Sequence, residues 1–210
     1  MSDAVHHPVF ARLYAWLSPH GERAAIGDHR REALAGLRGR VIEVGAGNGL
    51  NFAHYPGAVT EVLAVEPEPY LRRLAERAAP GAPVPVRVVD GLADALPAGD
   101  AAFDAAVASL VLCSVPSQDR ALAELHRVLR PGGELRFYEH VAATGGPVAT
   151  VQRGLDGLGV WPALFGGCHT ARDTVGAIER AGFAIEAVRR LSVRGGGPVA
   201  PHALGTARRF

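Results

Sequence analysis

The chain contains no lysine: all 22 of its basic residues are arginine. That absence excludes P-loop, Schiff-base and Ser–Lys chemistry, each of which needs a lysine amine. Cysteine is nearly as scarce. Cys113 and Cys168 lie 55 positions apart and make no disulfide framework. No second Cys/His pair has zinc spacing, so Cys168-His169 lacks a further ligand along the sequence and no metal is expected. Long apolar runs are missing too. The longest, roughly 105–115, is interrupted by Ser109 and Ser114 and is too short to span a bilayer. Residues Met1 to Pro8 are polar, include the His6-His7 pair of an expected mobile terminus, and carry no basic-then-apolar leader. The expectation is a soluble, cytoplasmic protein without an integral membrane segment. Charge of one sign is also absent. With 22 basic against 21 acidic residues the net charge is +1, which leaves no field to gather nucleic acid. Arg30-Arg31, Arg72-Arg73 and Arg189-Arg190 read as solvated pairs.

What is present points to one α/β domain. The 210 residues, 48% of them hydrophobic, supply material for a single sizeable core. Strand-like segments at 40–44, 61–65, 84–89, 103–108 and 135–138 alternate with helical ones, as in a parallel sheet. Helices are expected at 9–17, 22–37 (stopped by Gly39), 70–79, 118–129 (stopped by Pro131-Gly132-Gly133) and 174–181, the last capped by Thr170 or Asp173. Residues 183–191 and 202–208 read as a closing hairpin joined through Gly195-Gly196-Gly197-Pro198.

The strongest chemical signal is Glu43-x-Gly45-x-Gly47-x-Gly49, directly after a buried strand. Glycines there let the backbone turn sharply and approach a ligand, with strand-end amides free to bond it. Glu66 ends the next strand, 17 residues beyond Gly49, where a carboxylate accepts both ribose hydroxyl protons of an adenosine. A dinucleotide fingerprint requires a third glycine where this chain has Leu50. The acid at Glu43 suits a cationic ammonium and repels a pyrophosphate. S-adenosylmethionine therefore fits better than NAD.

The segments VIEVGAGNG (41–49), AVEPE (64–68), ALP (95–97), FDAAVASLVLCSV (103–115) and LHRVLRPGGELRFYEHV (125–141), in this order, resemble the class I S-adenosylmethionine-dependent methyltransferases. More narrowly, GLNFAHYP, SLVLCSV, YEHV, FGGCHTARDT and PHALG resemble the methyltransferase-like thiol S-methyltransferases; phospholipid N-methyltransferases and quinone C-methyltransferases share similar stretches. The resemblance implies a doubly wound, Rossmann-like, mostly parallel seven-stranded sheet with an antiparallel C-terminal hairpin and helices on both faces. It implies one domain, with 1–39 a helical lid, 40–140 the cofactor-binding core and 141–210 the acceptor side. By resemblance Gly45, Ala46 and Gly47 pass beneath the methionine part of S-adenosylmethionine, with Glu43 near its amino group. Glu66 holds the ribose, Pro67 and Glu68 pack at the adenine side, Leu92 and Ala93 reach the adenine, and Ser109 and Leu110 line the sulfonium. Many relatives bond the adenine amino group through an Asp where this chain has Leu92; Ala93 backbone, Asp90 or Asp94 are the substitutes. Animal members of the thiol group carry a hydrophobic leader, which this chain is expected to lack.

Methyl transfer needs positioning in a dry site more than it needs a base. His140, past the fifth strand, is the candidate for proton removal; a strand-end histidine held by backbone hydrogen bonds is the alternative. Cys113 is a packing residue on the expected pocket wall. With Tyr14 and His140 it forms the candidate acceptor side. Tyr14 and Trp16 are lid candidates, Asn51 and Tyr55 candidates for bordering cofactor and acceptor, and Asp104 a structural acceptor. The rival classes are an NAD-dependent oxidoreductase and a non-catalytic binding module. The partner expected is a small molecule, not nucleic acid; oligomeric state is left open.

Overall fold

The computed structural model describes residues 8–21, 26–193, 197 and 200–210. His6-His7, the expected helix start at Glu22 and most of the Gly195–Pro198 loop lie outside them. Two helices, α1 (Pro8–Gly21) and α2 (Gly27–Leu34), precede an alternating series: β1 (Gly39–Val44), β2 (Val59–Val65), α3 (Pro69–Ala78), β3 (Val86–Val89), β4 (Phe103–Ser109), α4 (Gln118–Val128) and β5 (Leu129–His140). Then come α5 (Gly146–Gly157), α6 (Val160–Leu164), α7 (Thr174–Arg180), β6 (Phe183–Ser192) and β7 (Pro201–Arg209). The strands form one sheet in the order β3-β2-β1-β4-β5-β7-β6. All pairings are parallel except those of β7, which runs antiparallel to both β5 and β6.

Strand alternation distributes the core over both faces. Ile42, Val44, Leu63, Val65, Ala106 and Ala108 pack with Leu122 and Leu125 of α4 and Ile178 of α7. Their neighbours Val41, Val62, Ala64, Ala105 and Val107 pack on the other face with Leu34 and Ala75. Near-continuous apolar strands are what a sheet covered on both faces requires. Glu68, Ser117 and Asp173 cap α3, α4 and α7 by accepting from Leu71, Arg120 and Gly176 amides. Asp173, rather than Thr170, is thus the cap of α7.

Two expectations needed correction. The stop at Pro131-Gly132-Gly133 ends α4 yet lies within β5, which pairs Phe103 with Leu129 and, after an irregularity, Ala105 with Glu134. Helix α2 ends at Leu34 instead of Leu37, whose side chain is nevertheless fully buried. Helices α5 and α6 carry too little apolar periodicity to be read from sequence; only Ala149 and Gln152 of α5 are buried. Among the described residues, no helix is long and apolar enough to cross a membrane.

Candidate active site

In this strand order the chain reverses direction of travel between β1 and β4, and a ligand cleft is expected beyond their carboxyl ends. A cavity of about 540 Å³ lies there. It is lined by the segments that leave four successive strands: Val44, Gly45 and Gly47 after β1, Glu66–Glu68 after β2, Gly91–Ala95 after β3 and Ser109–Val111 after β4. That volume is in the range of a small-molecule or cofactor pocket.

The glycine loop is bent by necessity. Gly45 has φ +65°, and a Cβ on it would lie 2.3 Å from Val111 Cγ2. Its amide and that of Ala46 both bond the carbonyl of Val65, tying the loop to the end of β2. The next amide, Gly47 N–H, donates to Glu66 Oε2 at 2.7 Å, and Glu68 N–H donates to Glu66 Oε1 at 2.9 Å. Burial pushes the Glu66 carboxyl above its ordinary pKa, against the opposing pull of these two amides. Glu66 is thus a pre-oriented acceptor in the cavity wall.

Glu43 takes a different place. Its carboxylate accepts from Asn51 Nδ2 at 2.8 Å and from Tyr55 Oη at 2.7 Å, beneath the loop. Burial raises its pKa to about 7, although Tyr55, Asn51 and the charge of Arg30 all act to lower it. Arg30 is buried and donates to Asn51 Oδ1 and Ser109 Oγ, so it joins the loops after β1 and β4. Glu139 does the same work on the other side. Fully buried in β5, it accepts the amides of Val111, Leu112 and Cys113. Those three bonds hold the turn that begins at Leu110, a non-glycine residue at φ +59°. Such a conformation costs about 1–2 kcal/mol and persists only where its surroundings impose it.

Helix α1 closes the opposite side. Phe10 and Tyr14 line the cavity, and the Tyr14 ring stands 3.5 Å from where a Gly47 Cβ would lie. Ser18 accepts from Asn48 Nδ2 at 3.0 Å, which fastens α1 to the glycine loop. Trp16, the other lid candidate, is 67% exposed and lies on the outer face of the helix.

Residues 42–137 match the model of the family described as a methyltransferase domain. Over 209 residues the chain is 34% identical to a human thiol S-methyltransferase, TMT1B, covering 94% of this chain and 85% of the relative. The chain belongs to the class I S-adenosylmethionine-dependent methyltransferases. It is also 33% identical to a phosphatidylethanolamine N-methyltransferase of Cereibacter sphaeroides, over 82% of this chain and 79% of that one. The crystal structure of an S-adenosylmethionine-dependent methyltransferase from Mesorhizobium loti superposes with a TM-score of 0.66 at 22% identity, covering 89% of this chain and 98% of that one.

The residues present fit that cofactor. A glycine loop that no side chain could replace, a buried carboxylate held at a strand end and an adjoining pocket wall from Gly91 to Asp94 are what an adenosine with an amino-acid tail requires. Of the residues singled out in the sequence, Gly45, Gly47, Glu66, Pro67, Leu92, Ala93, Ser109, Leu110 and Tyr14 line the cavity of the methyltransferase. Glu43, Ala46 and Asn51 support the loop from below instead; each is buried and outside the wall. Cys113 and His140 stand behind the wall, with His140 Nδ1 3.5 Å from Cys113 Sγ. Asp94 is in the wall, whereas Asp90 is taken by Arg72 at 2.8 Å. Asp104 is a structural acceptor as expected, bonding the Arg40 amide at 2.6 Å.

Sequence reading missed Arg30, Arg72 and Glu139. The first two were read as solvated pairs, yet Arg30 is buried and Arg72 bonds the carbonyls of Glu66 and Pro67. The sequence held no local signal for Glu139, because its strand also carries Arg130, Glu134 and Arg136, and only its complete burial sets it apart.

Gly166 offers a test of the α1 cover. It has φ +61°, and a Cβ there would sit 2.5 Å from the Phe10 ring. Gly166→Ala is expected to displace Phe10, loosen α1 and speed dissociation of S-adenosylhomocysteine several-fold in stopped-flow fluorescence. An unchanged dissociation rate would show that α1 does not cover the ligand.

Proposed function

We propose that this methyltransferase transfers the methyl group of S-adenosylmethionine to the sulfur of a small, largely apolar thiol. The observation that carries the reading is the cavity wall itself. Among the described residues, no imidazole or amine lines it, and its acceptor end is built from Phe10, Tyr14, Leu110, Val111 and Gly166. Of its acids, Glu66 is engaged by two amides, Glu68 caps α3, and Asp94 belongs to the Gly91–Ala95 segment on the cofactor side. Such a wall favours a nucleophile that needs no strong base. A thiol with a pKa of about 8.5 is a few per cent ionised at neutral pH and already nucleophilic. Similarity to the human thiol S-methyltransferase supports the same acceptor class.

S-adenosylmethionine, when bound, supplies a methyl carbon made electrophilic by its own sulfonium. The chain positions the rest. Glu66 would receive the ribose hydroxyls, the Gly91–Asp94 segment would flank the adenine, and Ser109 with Leu110 would border the sulfonium end. Apolar walls exclude water and lower the local dielectric, so joining a thiolate to a sulfonium, in which both charges vanish, is favoured over keeping them apart. Methyl transfer there would form the new sulfur–carbon bond as the old one breaks, and the acceptor thiol would give its proton to solvent. In this reading α1 forms the cover, residues 40–140 supply the cofactor site, and the acceptor end is shared by α1, the segment after β4 and Gly166. A cytoplasmic setting is supported by the two free thiols, and a small-molecule acceptor rather than nucleic acid by the near-zero net charge.

A lipid amine is the second reading, supported by the similarity to the phosphatidylethanolamine enzyme. An amine also attacks through a free lone pair. Product mass spectrometry with alkyl and aryl thiols, phosphatidylethanolamine vesicles and a quinol separates the two. Methyl thioethers are expected. Methylated amine or quinol alone would overturn the thiol assignment, and S-adenosylhomocysteine binding without any product would favour a binding module.

A further inference from the structure

Behind the acceptor end of the cavity, three residues that are remote in sequence converge. Cys113 comes from the turn after β4, His140 is the last residue of β5, and Cys168 follows the Gly166-Gly167 loop. His140 Nδ1 lies 3.5 Å from Cys113 Sγ and 3.5 Å from Cys168 Sγ, and all three atoms lie within 4.8 Å of one another. We propose that Cys113, His140 and Cys168 form a binding site for a soft divalent cation, with zinc the ion that best suits the donor set.

The geometry carries the proposal. Zinc–sulfur bonds of about 2.3 Å and zinc–nitrogen bonds of about 2.0–2.1 Å give a tetrahedron with a sulfur–nitrogen edge of about 3.5 Å. Both observed sulfur–nitrogen separations have that length. Hydrogen bonding explains them less well. One imidazole nitrogen offers a single proton or a single lone pair, so it cannot serve two sulfurs equally. A cation between the three atoms uses every donor at once. Two thiolates and a neutral imidazole also balance a divalent charge, which removes the cost of burying an unpaired ion. Thiolate and imidazole together select zinc-like ions over magnesium or calcium.

The surroundings are built to hold these ligands. The His169 amide donates to the Cys113 carbonyl at 2.8 Å, which joins the two cysteine segments directly. A Cβ on Gly167 would lie 2.8 Å from the Ser114 carbonyl oxygen, so only glycine permits that approach. Arg172 donates to the carbonyls of Leu112 and Val115, fixing the Cys113 turn, and Asp156 accepts the amides of Thr170 and Ala171 after Cys168. His140 packs on His202 with ring centroids 4.6 Å apart, and His202 Nδ1–H donates to the Ala200 carbonyl. The Trp161 indole N–H is buried without an acceptor at hydrogen-bond distance. Ser114, whose Oγ is 3.5 Å from Cys113 Sγ, lines the cavity, so the site braces the acceptor wall. Three protein ligands leave the fourth tetrahedral position to a small ligand or solvent.

The test is cobalt substitution in the full chain, reduced and stripped with a chelator. One equivalent of Co2+ is expected to produce thiolate-to-cobalt charge transfer and the intense visible bands of a tetrahedral site, both abolished by Zn2+. Cys168→Ser, in a loop outside the sheet, is expected to halve the charge-transfer intensity and weaken Co2+ binding more than about tenfold. The His6→Ala/His7→Ala variant is expected to keep the full spectrum. Absence of these bands in folded protein with both thiols titratable would overturn the proposal. So would an unchanged spectrum in Cys168→Ser, loss of the spectrum in the His6/His7 variant, or an air-formed Cys113–Cys168 disulfide whose reduction restores no cobalt binding. None of these readouts depends on methyl transfer, so the metal site and the thiol assignment stand or fall separately.

Discussion

Glu66→Ala is expected to weaken S-adenosylhomocysteine binding by about 10- to 100-fold, measured by isothermal calorimetry. Hydrogen bonds to a charged group contribute about 1.5–3 kcal/mol, and tenfold in affinity corresponds to about 1.4 kcal/mol. The substitution also orphans the amides of Gly47 and Glu68, which both donate to this carboxylate. A second ligand separates the ribose contact from disorder of the loop. A 2′-deoxy analogue of S-adenosylhomocysteine is expected to bind the wild type more weakly than the parent compound, and to bind Glu66→Ala with the parent's affinity. Equal affinities of wild type and variant for S-adenosylhomocysteine would remove Glu66 from the site. NAD serves as the control titrant and is expected to give no heat.

The second large effect concerns stability rather than binding. Glu43 has its pKa raised from 4.5 to about 7, with burial the dominant cause. In the unfolded chain it ionises near its ordinary value, so between about pH 4.5 and 7 the folded state holds a proton that the unfolded state has lost. The stability this contributes is fully present below the unfolded pKa and is lost as pH rises through the folded one, to a total of about 3 kcal/mol. Glu66 and Glu139 are also shifted upward by burial and act in the same direction. His202, depressed to about 4 by burial and by the charge of His140, acts in the opposite direction, costing stability as pH falls below 6.5. Comparing wild type with Glu43→Gln removes these shared contributions. Denaturant unfolding without cofactor is expected to show the wild type losing about 3 kcal/mol more than the variant between pH 5 and pH 8. Parallel stability curves would mean that Glu43 is ionised in the folded state throughout, with Arg30, Asn51 and Tyr55 outweighing its burial.

The sequence by itself determined the architecture and the cofactor. Apolar strands such as Val41–Val44 and Ala105–Ala108 are covered on both faces, and their pattern is local, so period and composition suffice to find them. The glycine loop and Glu66 were legible for the same reason. Their chemistry is set by backbone conformation at consecutive positions and by a strand end. Local signals also misled where a long-range partner prevailed. Pro131-Gly132-Gly133 reads as an interruption, but β4 pairs with Leu129 before it and with Glu134 after it, so β5 spans it as an irregularity.

Tertiary structure alone decided which polar residues leave the solvent. Arg30 looks like half of a solvated pair until Asn51, Ser109 and Glu43 surround it; its neighbour Arg31 stays exposed beside Asp28. Glu43 sits next to the ligand loop in sequence, yet the side-chain alternation of β1 turns it to Tyr55 and Asn51 beneath that loop. Cys113, His140 and Cys168 have no spacing that any local rule detects. Two strand ends and a loop bring them within 4.8 Å. A buried charge or ligand set is stable only when partners arrive together, and which partners arrive is a property of the assembled sheet, not of any stretch of chain.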